Sequence, residues 1–335
     1  MQNMNPLSRL IGLGWRGALL AEAALGSQRL SILIFHRVLA GPEPIYADGL
    51  QAAEFERLVA RIAGAFRVLR LGEALTHLQQ GSLPARALVI TFDDGYADNA
   101  ELALPILQRH GVAATFFIAT GFLDGGCMWN DRIIHMLRHT RLDAVDLAGL
   151  GLGRLALSTV AQREQAIGQV LKHVKYMPLS QREDLLARLA SATQVASRPE
   201  GLMMRSGQVQ QMQAAGMEIG GHTVHHPILT ELDAAQAAAE IRQGRHRLQT
   251  LTDAPVDVFA YPNGKPGQDY AGVHVDLVRQ AGFRGAVSTA QGTSAPGDDL
   301  FQLPRFSPWD SDPDRWLARL VASRRRRQFD LVASA

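Results

Sequence analysis

One local grammar keeps returning along this chain: an amphipathic helical stretch, a glycine, then a short run of β-branched and aromatic residues. It appears at residues 97–110, Gly111 and 112–118, and again at 208–215, Gly216 and 217–219. A further copy runs through 273–280, Gly282 and 284–287, and residues 234–251 lead likewise into 256–261. Glycine ends a helix because it enters the left-handed region without a Cβ penalty, and the residues after it favour a buried strand. Helices alternating with strands in this way predict parallel strands joined by helical crossovers. Residues 30–35, 66–69 and 87–90 add three strand candidates, with helices expected over 52–62 and 71–78 and Gly81 closing the second. Periodicity alone fits a closed barrel or an open doubly wound sheet. Both place ligand-binding groups at the C-terminal ends of the strands.

Chemistry gathers at those ends. Thr91-Phe92-Asp93-Asp94-Gly95 follows the apolar run Ala87-Leu88-Val89-Ile90 and sets two adjacent carboxylates at the end of a buried strand. Alone, Asp-Asp-Gly reads as a turn. Two like charges so close call for a cation, a donor or a shared proton. Gly220-Gly221-His222-Thr223-Val224-His225-His226-Pro227 supplies imidazoles able to hold that cation. One carboxylate with two histidines is an open zinc set, and the other carboxylate is then free to act as a base. Pro227 disfavours the α conformation at His226, so the pair is expected on a strand end turning into a loop. His225 falls out of phase with both.

Composition narrows the rest. The chain has 335 residues, 47% hydrophobic and 20% charged, the profile of an ordinary globular protein with room for one large α/β domain. A formal charge of +2 provides no global field for nucleic acid, and Arg324-Arg325-Arg326-Arg327 is the one dense basic block, read as a solvated tail over 324–335. A single cysteine, Cys127, excludes an internal disulfide framework. Residues 1–29 hold an apolar stretch interrupted by Arg9, Arg16 and Glu22, with no clear signal peptide or transmembrane span. An amphipathic helix packing on the domain, or making peripheral membrane contact, is expected there, with a cytoplasmic or membrane-peripheral location. The main domain is placed at 30–323. About residues 140–200 the grammar breaks, and a helical insertion without a strong strand is expected.

These motifs carry a resemblance. The chain resembles the polysaccharide deacetylases of the NodB-homology group, carbohydrate esterase family four, through Thr91-Phe92-Asp93-Asp94-Gly95, His222-Thr223-Val224-His225-His226 and a variant third motif, Phe259-Ala260-Tyr261-Pro262-Asn263-Gly264. The resemblance implies a distorted (β/α) barrel of about seven strands with a helical insertion. It implies a zinc or other divalent ion held by Asp94, His222 and His226, with Asp93 taking a proton from the attacking water. It also implies that the Tyr261 backbone N–H donates to the oxyanion, and that Asn263 contacts substrate. The arginine that usually leads the third motif is missing, since Phe259 and Ala260 stand ahead of Tyr261. Arg305 is a candidate to replace it as the partner of Asp93. No late histidine follows His274, but Phe35-His36-Arg37-Val38 is similar to the early histidine motif of the poly-N-acetylglucosamine deacetylase branch, which makes His36 the general acid. Trp129, expected in a Gly-rich loop, is a candidate to stack on a sugar ring.

The implied activity is removal of N-acetyl groups from an amino-sugar polysaccharide or oligosaccharide. Two alternatives stay open: hydrolysis of another non-peptide C–N bond such as a cyclic amide, and a catalytically silent carbohydrate-binding protein of the same fold.

Overall fold

Residues 31–35 and 87–92 are buried at every position and pair in parallel, Ser31 opposite Leu88 and Phe35 opposite Phe92. They are the heart of the computed structural model, which describes residues 6–43, 45, 49–177, 179–196, 198–307, 312–324 and 329–334. Trp309, Arg325, Arg326 and Arg327 lie outside the described residues.

Helix α1 (Pro6–Ala24) precedes strand β1 (Ser31–Phe35), followed by α2 (Ala52–Ala65), β2 (Arg67–Leu69), α3 (Leu71–Gln80) and β3 (Ala87–Phe92). A π-helical turn, Asn99–Ala103, runs into α4 (Leu104–Arg109), then β4 (Thr115–Ile118). Next come α5 (Trp129–His139), the strands β5 (Ala144–Leu147) and β6 (Gly153–Ala156), and the helices α6 (Val160–Val174) and α7 (Leu179–Thr193). The grammar resumes with α8 (Ser206–Ala214), β7 (Glu218–Gly221), α9 (Ala234–Thr252), β8 (Val258–Ala260), α10 (Gly272–Gln280) and β9 (Gly285–Gln291), and the chain ends on β10 (Leu303–Arg305) and α11 (Pro313–Ser323).

The main sheet is parallel and ordered β1-β3-β4-β7-β8-β9-β10, with β2 also paired to β3. Its two ends meet. Phe306, just past β10, donates to Ile32 O at 2.7 Å and accepts from Ile34 N–H at 3.1 Å, closing a seven-stranded ring. The fold is thus the distorted (β/α) barrel rather than the open sheet. Phe92 stacks on Phe116 with ring centroids 4.9 Å apart and on Phe35 at 5.3 Å, so the phenylalanine of the acidic motif belongs to the core under the strand ends.

Several expectations need correction. The insertion has a strand pair after all: β5 and β6 form an antiparallel hairpin turned through Gly151 at φ 76°. Each strand is four residues long and buries only one face, too little for periodicity to register. Trp129 does not sit in a loop but opens α5. Strand β10 and helix α11, absent from the sequence reading, complete the ring and cover its outside. Helix α1 lies against the domain. It packs along α11, buries Trp15 and Leu19, and donates from Trp15 Nε1 to Asp314 Oδ1 at 3.1 Å, leaving Leu10, Leu13 and Leu20 exposed. Arg324, read as the start of a solvated tail, is 2% exposed and clasps Glu22 at 2.8 Å while donating to Ser31 Oγ at 2.7 Å. Further on, Val332 and the Gln302 side chain exchange two hydrogen bonds of 2.9 Å. Among the described residues no helix is long and apolar enough to cross a membrane.

Candidate metal centre and active site

Strand β3 ends by separating its two carboxylates. Asp94 adopts φ 80°, a left-handed conformation unusual for a non-glycine residue, and the neighbouring side chains reach different partners. Asp93, 3% exposed, receives both Nη groups of Arg305, Nη1 on Oδ1 at 2.7 Å and Nη2 on Oδ2 at 2.8 Å. Arg305 is in turn fixed by donating to Ser288 O at 2.9 Å and Thr91 Oγ1 at 3.2 Å. Burial works against the Asp93 charge, but Arg305, with His222 and His36 beyond it, keeps the carboxyl below its ordinary range. Asp93 is therefore an ionised acceptor at neutral pH.

Asp94 turns the other way. Its Oδ1 lies 3.4 Å from His222 Nε2 and 3.4 Å from His226 Nε2, and has no hydrogen-bond partner among the described residues although it is buried. One ligand atom from each of the three residues falls within 4.8 Å of the others. An orphaned carboxylate oxygen facing two imidazole nitrogens suits a divalent cation, and the donor set suits zinc. Burial opposes the charge on Asp94, yet the imidazoles of His222, His226 and His36 hold its carboxyl well below the usual range.

The second motif is shaped for this. His222 Nδ1 sits 2.7 Å from Ala260 O, and a proton on Nδ1 leaves Nε2 as the lone-pair donor toward Asp94. His226 reaches the same point because Thr223 and His226 take φ 64° and 52°. Such conformations cost on the order of 1–3 kcal/mol each and persist where surrounding bonds enforce them. Here Thr223 Oγ1 donates to His222 O and accepts from His226 N–H at 3.0 Å, so the hydroxyl is spent on the loop itself. Helix α9 presses close enough that a Cβ on Gly244 would sit 2.8 Å from the Thr223 carbonyl. Burial drives the His226 pKa down to about 4, so its ring is neutral and able to ligate. His225 points away, 61% exposed by side chain and paired with Glu240 at 2.7 Å.

A cavity of about 450 Å³ opens over these groups, lined by His36, Arg37, Asp93, Asp94, His222 and His226, with Asn130, Asp131, Tyr261 and Asn263 completing its wall. The volume is ordinary for a small-ligand cleft. His36, at the end of β1, is exposed on the rim. Its carbonyl accepts from Asn99 Nδ2 at 2.9 Å, while Asp98 accepts from Arg37 Nε at 2.8 Å and from Val38 N–H at 3.2 Å. The π-helical turn that Asn99 opens thus latches the histidine segment.

Two sequence assignments meet obstacles. The Tyr261 N–H is committed to Val287 O at 3.2 Å, a ladder bond of the barrel, so it is not a free donor. Pro262 has no N–H, and the next amide along the wall is that of Asn263, at φ 59°, which has no hydrogen-bond partner among the described residues. Trp129 lies outside the cavity, packed against the apolar core of the insertion with the Arg182 guanidinium 4.6 Å from its ring centre. Its neighbours Asn130 and Asp131 line the wall instead. Sequence reasoning passed over them, along with Arg37, Tyr96 and Asn99. The helical spacing of Trp129, Ile133, Met136 and Leu137 was the signal that would have put Trp129 on the apolar face and Asp131 on the opposite one.

Fold and site together define a closed parallel (β/α) barrel with a candidate metal centre at its strand ends. The family model for polysaccharide deacetylases matches residues 80–144 and 167–286, more than half of the chain, and the protein belongs to that family. A putative polysaccharide deacetylase of Bacillus subtilis (strain 168), YxkH, is 33% identical over 92 residues, 27% of this chain. The match spans about a third, 32%, of the length of that curated relative. Among solved structures, Streptococcus pyogenes deacetylase PplD in complex with acetate is 16% identical with a TM-score of 0.59, over 89% of this chain and 99% of that one. IcaB from Ammonifex degensii is 19% identical with a TM-score of 0.58, over 88% of this chain and 97% of its own. At such identities the two structures show the shared fold.

Proposed function

We propose that this protein is a metal-dependent hydrolase that removes N-acetyl groups from an amino-sugar polysaccharide or oligosaccharide. The observation that carries this reading is the orphaned Asp94 Oδ1 set 3.4 Å from both His222 Nε2 and His226 Nε2, beside a second carboxylate already paired with arginine. A divalent ion held by Asp94, His222 and His226 would supply Lewis-acid polarisation of the acetyl carbonyl and acidify water.

The chain's own groups divide the remaining work. Asp93, ionised and locked by both Nη atoms of Arg305, accepts the proton of the attacking water. Its orientation costs nothing at the moment of reaction, because Arg305 is itself held by Ser288 and Thr91. The Asn263 N–H donates to the developing oxyanion in place of the committed Tyr261 amide. Tyr261 serves the wall: its ring stacks on Tyr270 at 3.9 Å and its hydroxyl donates to Phe301 O at 3.0 Å. His36, on the rim, delivers a proton to the departing amine. Acetate and a free amino sugar result.

Acetate release from N-acetylglucosamine oligomers tests the reading, with chelator added and zinc then restored. Zinc-dependent release is expected. No release from any N-acetylated saccharide, with turnover of a cyclic amide instead, would move the protein to the alternative substrate class. No turnover of either by the zinc-loaded chain would leave only the silent binding protein.

A further inference from the structure

The hydrolytic groups above leave one buried carboxyl in the cavity without a task. Asp131 is the third residue of α5, lines the cavity and is 3% exposed. Tyr96 Oη donates to its Oδ2 at 3.0 Å, and no described residue donates to Oδ1. The Tyr96 ring lies 4.9 Å from the Arg37 guanidinium carbon, and Arg37 is fixed by Asp98 at 2.8 Å, so the hydroxyl that aims Asp131 belongs to a stiff assembly. The residue is buried as a whole, yet Oδ1 is not among the buried side-chain atoms that lack a partner, so it opens on the cavity where a ligand donor can reach it.

We propose that Asp131 Oδ1 accepts a hydrogen bond from a hydroxyl or an ammonium group of the bound amino sugar, making Asp131 a specificity-determining residue for the saccharide. This deepens the deacetylase reading and rests on it. Tyr96 is the positioning residue, since its hydroxyl sets the carboxyl through Oδ2 and leaves Oδ1 to the ligand. The chemistry of the pair suits a polyhydroxylated ligand: one oxygen is saturated by protein, the other open to the cavity. Burial, with the nearby Asp94 charge, lifts the Asp131 pKa to about 7. A donor from the ligand offsets that penalty, and an ammonium offsets more of it than a hydroxyl.

The test uses the full, zinc-loaded chain and the variants Asp131→Asn, Asp131→Ala and Tyr96→Phe, each first checked for zinc content and cooperative thermal unfolding. Oligosaccharide affinity is measured by calorimetry on fully acetylated and on partly deacetylated chitooligosaccharide. Steady-state acetate release is measured on the same oligomers and on a sugar-free aryl acetate. Removing a hydrogen bond to a carboxylate is expected to weaken oligomer binding and raise KM about tenfold or more in Asp131→Ala, with kcat moved much less. The aryl acetate, which has no sugar, should lose far less kcat/KM than the oligomers. Equal losses for both oligomers identify a hydroxyl, and a larger loss for the partly deacetylated one identifies an ammonium. Asp131→Asn keeps the shape and an acceptor for Tyr96, so it reports on charge if the alanine variant fails to fold. Unchanged oligomer affinity in a folded, zinc-containing Asp131 variant overturns the proposal, as does an equal loss on oligomer and aryl acetate. Failure of the wild-type chain to release acetate from any oligomer sinks the deacetylase reading and this one together, whereas release that ignores Asp131 sinks this one alone.

Discussion

The floor of the cavity and its α5 wall are built on opposite terms. On the floor, Asp93, Arg305, His222 and His226 come from the ends of parallel strands, and almost every polar atom is bound in advance. The conspicuous exception is Asp94 Oδ1. On the wall, Asn130 and Asp131 come from the first turn of a helix that packs on the insertion, and Asp131 is held by one tyrosine. A barrel fixes strand ends to one another through ladder bonds, so it can store left-handed residues such as Asp94, Thr223 and His226 where the chemistry requires them. The α5 wall carries no such strain. On the proposed reading, groups for bond cleavage sit on the rigid part, and groups that meet the rest of the ligand sit where a helix can change without disturbing the ring.

Breaking the floor should cost most. Asp93→Asn should keep the zinc and lose about 10²- to 10⁴-fold in turnover, the range expected for a general base; near-normal rates would remove Asp93 from that role. Arg305→Met leaves Asp93 buried and unpaired, and urea unfolding should show a loss of about 3–5 kcal/mol. A loss below about 1 kcal/mol would mean the pair is dispensable. Loosening the latch is a smaller test: Asn99→Ala removes the bond to His36 O and should slow acetate release about tenfold with zinc content intact. Unaltered turnover would show that His36 needs no such hold.

The wall is read through pH. Asp131, facing Tyr96, Asp94, Arg37 and Asp98, holds its proton up to about pH 7 in the folded chain. The same carboxyl releases it near pH 4 when unfolded. Between those values the native state binds more protons, so this group makes stability fall as pH rises, with its cost complete above about 7 and absent below about 4. Thermal unfolding of Asp131→Asn should therefore depend less on pH between about 4 and 7 than that of the wild type. Identical profiles would show that Asp131 ionises normally.

What the sequence revealed follows the same division. Asp93, Asp94, His222 and His226 were legible because each motif is local and its residue types are rare together after a strand. The seven-strand ring was legible only as alternation plus resemblance, since closure depends on Phe306 reaching across to β1, far away in sequence. Arg305 could be named for want of the usual arginine, not from its own surroundings, because β10 is three residues long and contains a proline. The Tyr261 amide was a poor choice of donor for a reason no sequence displays: the ladder to β9 had already taken it. Trp129 and Asp131 stand two positions apart, and only the orientation of α5 decides which of them enters the cavity. Reading that stretch as a loop discarded the orientation. The buried Arg324 shows the same limit, since a run of arginines gives no hint that its first member closes on Glu22.

Zinc titration of the metal-stripped protein tests the central claim most directly, with the wild type, Asp93→Asn and Asp94→Ala compared by calorimetry. One ion per chain is expected for the wild type and for Asp93→Asn, and none at comparable affinity for Asp94→Ala. Full stoichiometry and affinity in Asp94→Ala would contradict a centre built on Asp94, His222 and His226.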